Sequence, residues 1–316
     1  MSLALPDMSR RIVTLTPNPT VDVASDAEMV RAVRKTRTRN ERFDPGGGGV
    51  NVSRVVSELG GDTLAIILAG GLAGALLEQL LEEQGLPRRT IPIAGRTRMS
   101  LTVNDLSTRH EYRFVPEGPE VTEPEWRAAL QAVEEEPGDW IVGSGSLPRG
   151  IPDDFYVELA GIARRQGRRI VLDTSGAPLR AALGHGLALI KPSRGEFETL
   201  VGRPLNTPRA LNEAALDLVR QGAAELIAVS LGQEGALLAE REGVLRLRAL
   251  DVPALGAVGA GDSFLAAMVL KLSEGESPRE AFAWGMAAGA AAVMRPGTAQ
   301  PRRADVEALR RQIGAL

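Results

Sequence analysis

From Glu123 to Ser230 the chain alternates segments of helical spacing with short apolar runs. A helix over Glu123 to Glu136 is followed by a strand over Trp140 to Gly143, a helix over Asp153 to Gln166 and a strand over Arg169 to Asp173. Further strands fall at Leu187 to Lys191 and Glu225 to Ser230. Strands separated by helices pair in parallel, and a parallel sheet needs cover on both faces. The expectation is therefore an α/β fold with helices on either side of a mostly parallel central sheet. Ligands of such sheets gather beyond the carboxyl ends of the strands. Polar residues fall there: Asp22, the Ser144-Gly145-Ser146 turn, Asp173, Lys191 and the Ser230-Leu231-Gly232 turn.

The amino-terminal part contributes the first strand, since Arg11 to Thr16 (RIVTLT) is a β-branched run halted by Pro17-Asn18-Pro19. Next comes helix, strand, helix over Asn51 to Leu59, Thr63 to Ala69 and Leu72 to Gln84. Two pieces stand apart from this order. Thr20 to Phe43 and Arg96 to Val115 lack helical spacing, and Asn104 to Thr108 reads as a turn between alternating runs. Both are expected to be hairpins outside the main sheet.

Composition sets limits on function. The chain has 316 residues, 44% hydrophobic and 24% charged, as ordinary folded proteins do. One large domain over residues 11–316 is the economical reading, with residues 1–10 as a flexible tail. There is no cysteine, which excludes disulfides and thiolate chemistry, and two histidines, His110 and His185, cannot build a His-rich metal centre. Any metal is expected on oxygen. The opening MSLALPDMSRR breaks its apolar residues with charge and proline, unlike a secretory signal, and no run approaches the roughly 20 apolar residues of a membrane span. The expected setting is the cytoplasm, without a membrane partner. A net charge of -3 and 3% aromatic residues argue against nucleic acid. The cations are unevenly placed, however: the lysines are Lys35, Lys191 and Lys271, and Arg31, Arg34, Arg37, Arg39 and Arg42 crowd around Lys35. That segment is a candidate anion site.

Two glycine clusters carry the chemistry. Ala257 to Ser263 (AVGAGDS) leads into the apolar helix FLAAMVLKL. A glycine turn opening a helix leaves backbone N–H groups facing an anion, and the helix dipole adds to that preference. Asp262 at the helix start suits a capping residue and also a general base, placed to accept a hydroxyl proton while the amides hold the phosphorus being attacked. Asp44 to Asn51 (DPGGGGVN) also opens a helix, and four consecutive glycines point to close approach of a ligand to backbone. Neither cluster is a Walker-type loop or a dinucleotide fingerprint.

DPGGGGVNVSR, GSLPRG, KPSRGEFETL, VSLGQEGALL and AVGAGDSFLAAM occur in the order and spacing of the PfkB family of the ribokinase-like superfamily, and the resemblance covers the chain from Arg11 onward. The glycine run is free of the lysine usual in fructose-1-phosphate and tagatose-6-phosphate kinases. With HEYRFV and Lys35, it is similar to the bacterial minor-type branch that phosphorylates fructose 6-phosphate. The resemblance implies a ribokinase-like three-layer α/β/α fold. The hairpins at about 20–43 and 96–115 would form a small β-sheet lid that closes over the sugar and pairs two subunits into a homodimer. It implies transfer of the γ-phosphoryl group of ATP, with Mg²⁺, to a hydroxyl of a sugar phosphate. Fructose 1-phosphate and tagatose 6-phosphate are the alternative acceptors, and a non-catalytic sugar-phosphate or nucleotide sensor is the alternative of another class.

Carried over residue by residue, the resemblance makes Asp262 the base and Gly259, Ala260 and Gly261 the anion hole. It places Asp22, Gly47, Gly48 and Asn51 on the sugar and Lys35, Arg98 and Arg113 around the substrate's own phosphate. Lys191, Ser193, Ser230, Gly232, Gly235, Ala257 and Gly289 would line the ATP cleft, with Glu196 acting on Mg²⁺ through water. A K⁺ loop would be bounded by Gly256, Val258, Ala292 and Gly297. Three departures from the family pattern stand out. Ser193 replaces the asparagine of the family's NxxE motif, Gly256-Ala257 replaces a serine-threonine pair, and Arg295 stands by the cation loop where a smaller polar residue is usual. Arg295 is expected to weaken or replace potassium.

Overall fold

The computed structural model describes residues 10–256, 258–295 and 299–314. In chain order the elements are β1 (Ile12–Thr16), β2 (Thr20–Ala27), β3 (Thr38–Gly46), α1 (Gly48–Glu58), β4 (Thr63–Ala69), α2 (Gly71–Glu83), β5 (Arg88–Pro92), β6 (Arg98–Asp105) and β7 (His110–Phe114). They continue with α3 (Glu123–Glu135), β8 (Trp140–Ser144), α4 (Phe155–Arg165), β9 (Arg169–Asp173), α5 (Gly176–Ala182), β10 (Leu189–Ile190), α6 (Arg194–Val201), α7 (Pro208–Arg220) and β11 (Leu226–Ser230). The last are β12 (Ala236–Glu240), β13 (Gly243–Leu247), α8 (Ala260–Ser273), α9 (Pro278–Val293) and α10 (Arg303–Ile313).

β1 and β8 are buried at all five of their positions, which is why they read as unbroken apolar runs and not as alternation. They sit inside a sheet that, among the described residues, has nine strands in the order β13-β12-β11-β10-β9-β8-β1-β4-β5. Pairing is parallel from β5 through β11 and antiparallel across β11-β12-β13. One face packs an apolar cluster with side chains from α3, α4, α6 and α7, including Trp126, Phe155, Phe197 and Leu211. The other packs Val52 and Val55 of α1, Phe264 and Met268 of α8 and Phe282 of α9. The expected helices on both faces of a mostly parallel sheet are present.

The two hairpins form a second sheet, in the order β3-β2-β6-β7. β2 pairs with β3 antiparallel and with β6 in parallel, and β6 with β7 antiparallel. The first hairpin runs to Gly46 rather than Phe43, because the strand continues through Asp44 and Pro45 into the glycine run. Helix α1 accordingly begins at Gly48, three residues before the expected start. β5 was not expected from the sequence: its Arg88-Arg89 opening and Pro92 suit the sheet's edge, where one side needs no partner.

Candidate active site

α8 begins after Gly259, whose φ of 76° lies in the left-handed region open to glycine. The first intrahelical bond closes from Ser263 N to the Gly259 carbonyl at 2.9 Å. The amides of Ala260, Gly261 and Asp262 precede it and have no partner within the helix, the arrangement that favours an anion. The part-buried Asp262 sits in this first turn, and its Oδ2 accepts a 2.8 Å hydrogen bond from Asn51 Nδ2. Burial pushes the Asp262 carboxyl above the usual carboxylate range, held back by the Asn51 bond and by the charge of Lys191. The two glycine clusters, 211 residues apart at this contact, thus meet on the carboxylate.

The glycine run is packed at each position. A methyl group at Gly46 would strike the Asp22 carboxylate, and one at Gly48 the Ser144 hydroxyl. Gly47 has φ 109° and lies against Thr16 and Pro19, while a Cβ at Gly49 would stand 2.5 Å from Thr16 Oγ1. The run therefore brings together the end of β1, the end of β8 and the small sheet.

On that sheet, register decides which residues meet. Asp22 pairs with Asp44 and Ser100, Thr20 with Arg98, and Thr102 with Arg113, so all of these share one face. Arg98 donates to the carbonyls of Asn18 and Pro116, both at 2.9 Å, and its Nε is buried without a partner among the described residues. Burial raises the Asp22 carboxyl, against the pull of Arg113, Arg98 and Arg54, with Asp44 adding to the rise. Lys35 lies in the exposed connection between β2 and β3. β2 runs five residues beyond Asp22 before that connection starts, roughly 16 Å of strand, and Lys35 has no hydrogen bond or ion pair to Asp22 among the described residues.

The residues expected around ATP lie at the ends of adjacent strands. Lys191 follows β10, buried, with its Nζ 3.3 Å from Asp173 Oδ1 at the end of β9. Burial pushes Asp173 up. Burial also works against the Lys191 charge, but Asp173, Asp262 and Glu196 outweigh it and raise its pKa. A side chain at Gly261 would crowd that ammonium, 3.2 Å from Nζ. Ser193 bridges Ser230, and Arg194 reaches Glu234 at 3.0 Å in the turn holding Gly232 and Gly235. Gly289 on α9 allows close packing on α8, since its Cβ would lie 3.3 Å from the Ala260 carbonyl.

Glu196 and Ser193 form a capping box at the start of α6, in which Ser193 N and Oγ both donate to Glu196 Oε2 at 2.7 Å. Among the described residues no group of three His, Cys, Asp or Glu is placed to hold a metal directly. The remaining oxygen, Oε1, fits a water-mediated hold on Mg²⁺, an ion that keeps several of its waters. Gly256, Val258 and Ala292 flank α8 and the end of α9. The Ala292 carbonyl accepts from Arg295 N at 3.0 Å, and Arg295 Nε is buried without a partner among the described residues. Ala257 and Gly297 lie outside the described residues. The sequence placed Asp173 among the polar residues at the ligand-binding ends of the strands without a specific task, and gave none to Arg54 or Asp44, which complete these clusters. The available signal was spacing: Arg54 follows Asn51 by three residues on one helix, within the quoted motif.

Anion-binding amides, a part-buried carboxylate beside them and a neighbouring sheet face of carboxylates and arginines suit a phosphotransferase with an alcohol group as acceptor. The chain belongs to the PfkB family: the pfkB family carbohydrate kinase pattern matches residues 18–305. It is 43% identical over 299 residues to ATP-dependent 6-phosphofructokinase isozyme 2 of Mycobacterium tuberculosis, covering 94% of this chain and 88% of that protein. Solved structures of phosphofructokinase-2 from Escherichia coli, at 37% identity, superpose over 96% of this chain and 99% of theirs. The TM-score is 0.91 for the complex with fructose-6-phosphate and 0.92 for the complex with potassium. The fold is ribokinase-like. Among the described residues no helix is long and apolar enough to cross a membrane.

Proposed function

We propose that the chain is an ATP-dependent 6-phosphofructokinase, converting fructose 6-phosphate and ATP to fructose 1,6-bisphosphate and ADP. The observation that carries this is the Asn51 to Asp262 hydrogen bond, which joins the sugar-side glycine run to the anion-binding start of α8. The relatives' activities supply the acceptor. Asp262 takes the proton of the attacking hydroxyl, and the amides of Gly259, Ala260 and Gly261 receive the charge that develops on the transferred group. Asp22, Gly47, Gly48 and Asn51 orient the sugar, while Arg98 and Arg113 face its phosphate, Lys35 joining them only if its loop is brought in.

Lys191, Ser193, Ser230, Gly232, Gly235, Ala257 and Gly289 serve the ATP cleft, and Glu196 holds Mg²⁺ through water. Mg²⁺ supplies neutralisation of the phosphate charge. Residues 11–316 act as one kinase unit in the cytoplasm, with the small sheet as a lid that excludes water. The face of that sheet opposite Asp22 carries a cross-strand row of Phe43, Val23, Leu101 and Phe114. This apolar row supports pairing of two lids in a homodimer. Arg295 takes the place of potassium.

The test is ATP turnover with Mg²⁺ on fructose 6-phosphate, fructose 1-phosphate, tagatose 6-phosphate, fructose and ribose, each with and without K⁺, with Asp262→Asn as control. The highest kcat/KM is expected on fructose 6-phosphate, with the control inactive and little response to K⁺. A different best acceptor removes the substrate assignment, turnover by Asp262→Asn removes the base, and a strong K⁺ dependence removes the Arg295 reading.

A further inference from the structure

Arg54 is 4% exposed, and three residues of helix separate it from Asn51, which puts both side chains on one face of α1. Its Nη1 donates to Asn51 Oδ1 at 3.2 Å and to the Pro45 carbonyl at 3.1 Å, and its Nε to Gln84 Oε1 at 2.8 Å. Nη2 stands 3.9 Å from Asp44 Oδ1. A guanidinium offers donors and no acceptor, so the amide of Asn51 has to turn its oxygen toward Arg54. Its nitrogen then faces the other way, where it donates to Asp262.

We propose that Arg54 is a positioning residue for phosphoryl transfer: by holding Asn51 Oδ1 and the Pro45 carbonyl together, it dictates which end of the Asn51 amide meets the Asp262 carboxylate. The inference rests on Asp262 being the base. Gln84 at the end of α2 and Asp44 in the small sheet hold the guanidinium from two further sides, so the planar fork is used in several directions at once, as an ammonium is not. Without Arg54 the Asn51 amide is free to turn. An amide oxygen set against Asp262 favours the protonated carboxyl, whereas the N–H favours the ionised form the base requires. The other charged groups acting at Asp262 are Lys191 and Asp173, which a change at position 54 leaves in place. A cavity of about 450 Å³ opens beside Arg54, lined also by Ser57, Glu58, Gln84, Leu86 and Gln300, and gives a small cation a route to the vacated place.

The test compares Arg54→Ala, Arg54→Lys, Asn51→Ala, the double variant Arg54→Ala/Asn51→Ala and Asp262→Asn. Arg54→Ala is expected to lose roughly tenfold or more in kcat, part of the 10²–10⁴-fold that a placed base contributes. KM for ATP should hold, and the acid limb of the kcat profile should move to higher pH, as in Asn51→Ala. The double variant is expected to be no worse than Asn51→Ala alone, because the two act through one contact. Millimolar guanidinium, and not sodium chloride of the same ionic strength, should restore kcat to Arg54→Ala and do nothing for Asn51→Ala. An unshifted acid limb, or single losses that multiply in the double variant, overturns the inference. Should Arg54→Ala not fold, Arg54→Lys carries the test: a smaller shift of the same sign supports the role, and an unshifted limb overturns it. Turnover by Asp262→Asn would instead sink the base assignment, a result read independently of Arg54.

Discussion

The two walls of the cleft are built differently. On the wall proposed for the nucleotide Lys191 and Asp173 face each other with side chains 7% and 15% exposed, clamped at the ends of parallel strands. On the wall proposed for the sugar Arg113 is 48% exposed, Lys35 lies on an open connection, and Phe43, Leu101 and Phe114 stand 46%, 47% and 58% exposed on the outer face. One wall is fixed by the main core. The other is a thin sheet held at its base, where Val21, Val23 and Met99 pack against Leu77 and Leu81 of α2, while its outer stretch is exposed on both faces. The difference separates what is preorganised for transfer from what is assembled on binding.

The sharpest way to break this contrast is Lys191→Met. It leaves Asp173 buried without its cation, which should cost about 3 kcal/mol of stability. It also takes from Asp262 the positive charge that restrains its carboxyl, so the acid limb of kcat should move to higher pH. Urea unfolding at pH 7 and a pH–rate profile check both, and wild-type stability would mean the pair is not part of the rigid wall. A smaller effect is expected across the cleft. Arg98→Ala and Arg113→Ala should each raise KM for fructose 6-phosphate about tenfold, the scale of one hydrogen bond to a charged group, while KM for ATP holds. The unfolding midpoint should hold in Arg113→Ala and fall in Arg98→Ala, which leaves the buried Asn18 carbonyl without its donor. A loss of ATP affinity in either would show that the walls are coupled. The smallest change in rate is expected for Phe43→Glu, which places a charge in the apolar row. Sedimentation should show weaker self-association, and an unaltered oligomeric state would remove that face as the subunit contact.

The main sheet was legible because its inner strands are buried on both faces and so appear as continuous apolar runs between helices. The antiparallel β12–β13 pair was not, since nothing in strand-helix alternation announces a terminal hairpin. Asp262 and Asn51 were legible through glycines that have a local reason to be there. Arg54 was not, because an arginine on a helix reads as solvent-facing. Its partners, the Pro45 carbonyl, Gln84 at the end of α2 and Asp44 in the small sheet, are supplied by tertiary structure. Ser193-x-x-Glu196 fits both a helix cap and a metal-water site by pattern alone. The structure places the cap, and one carboxylate oxygen remains for the other role.

The glycine run has a consequence for the history of such a chain. Its neighbours, a carboxylate, a hydroxyl, a threonine and a proline ring, occupy the places where side chains would grow. Every codon change away from glycine adds atoms, so a replacement here, such as the lysine that the resembling sugar-phosphate kinases carry in their run, requires the neighbour it meets to move as well. The strands around them can exchange one apolar residue for another, and loops can lengthen or shorten. Here one step calls for a second in the neighbouring side chain, so the gap left by missing side chains ties the run to its surroundings.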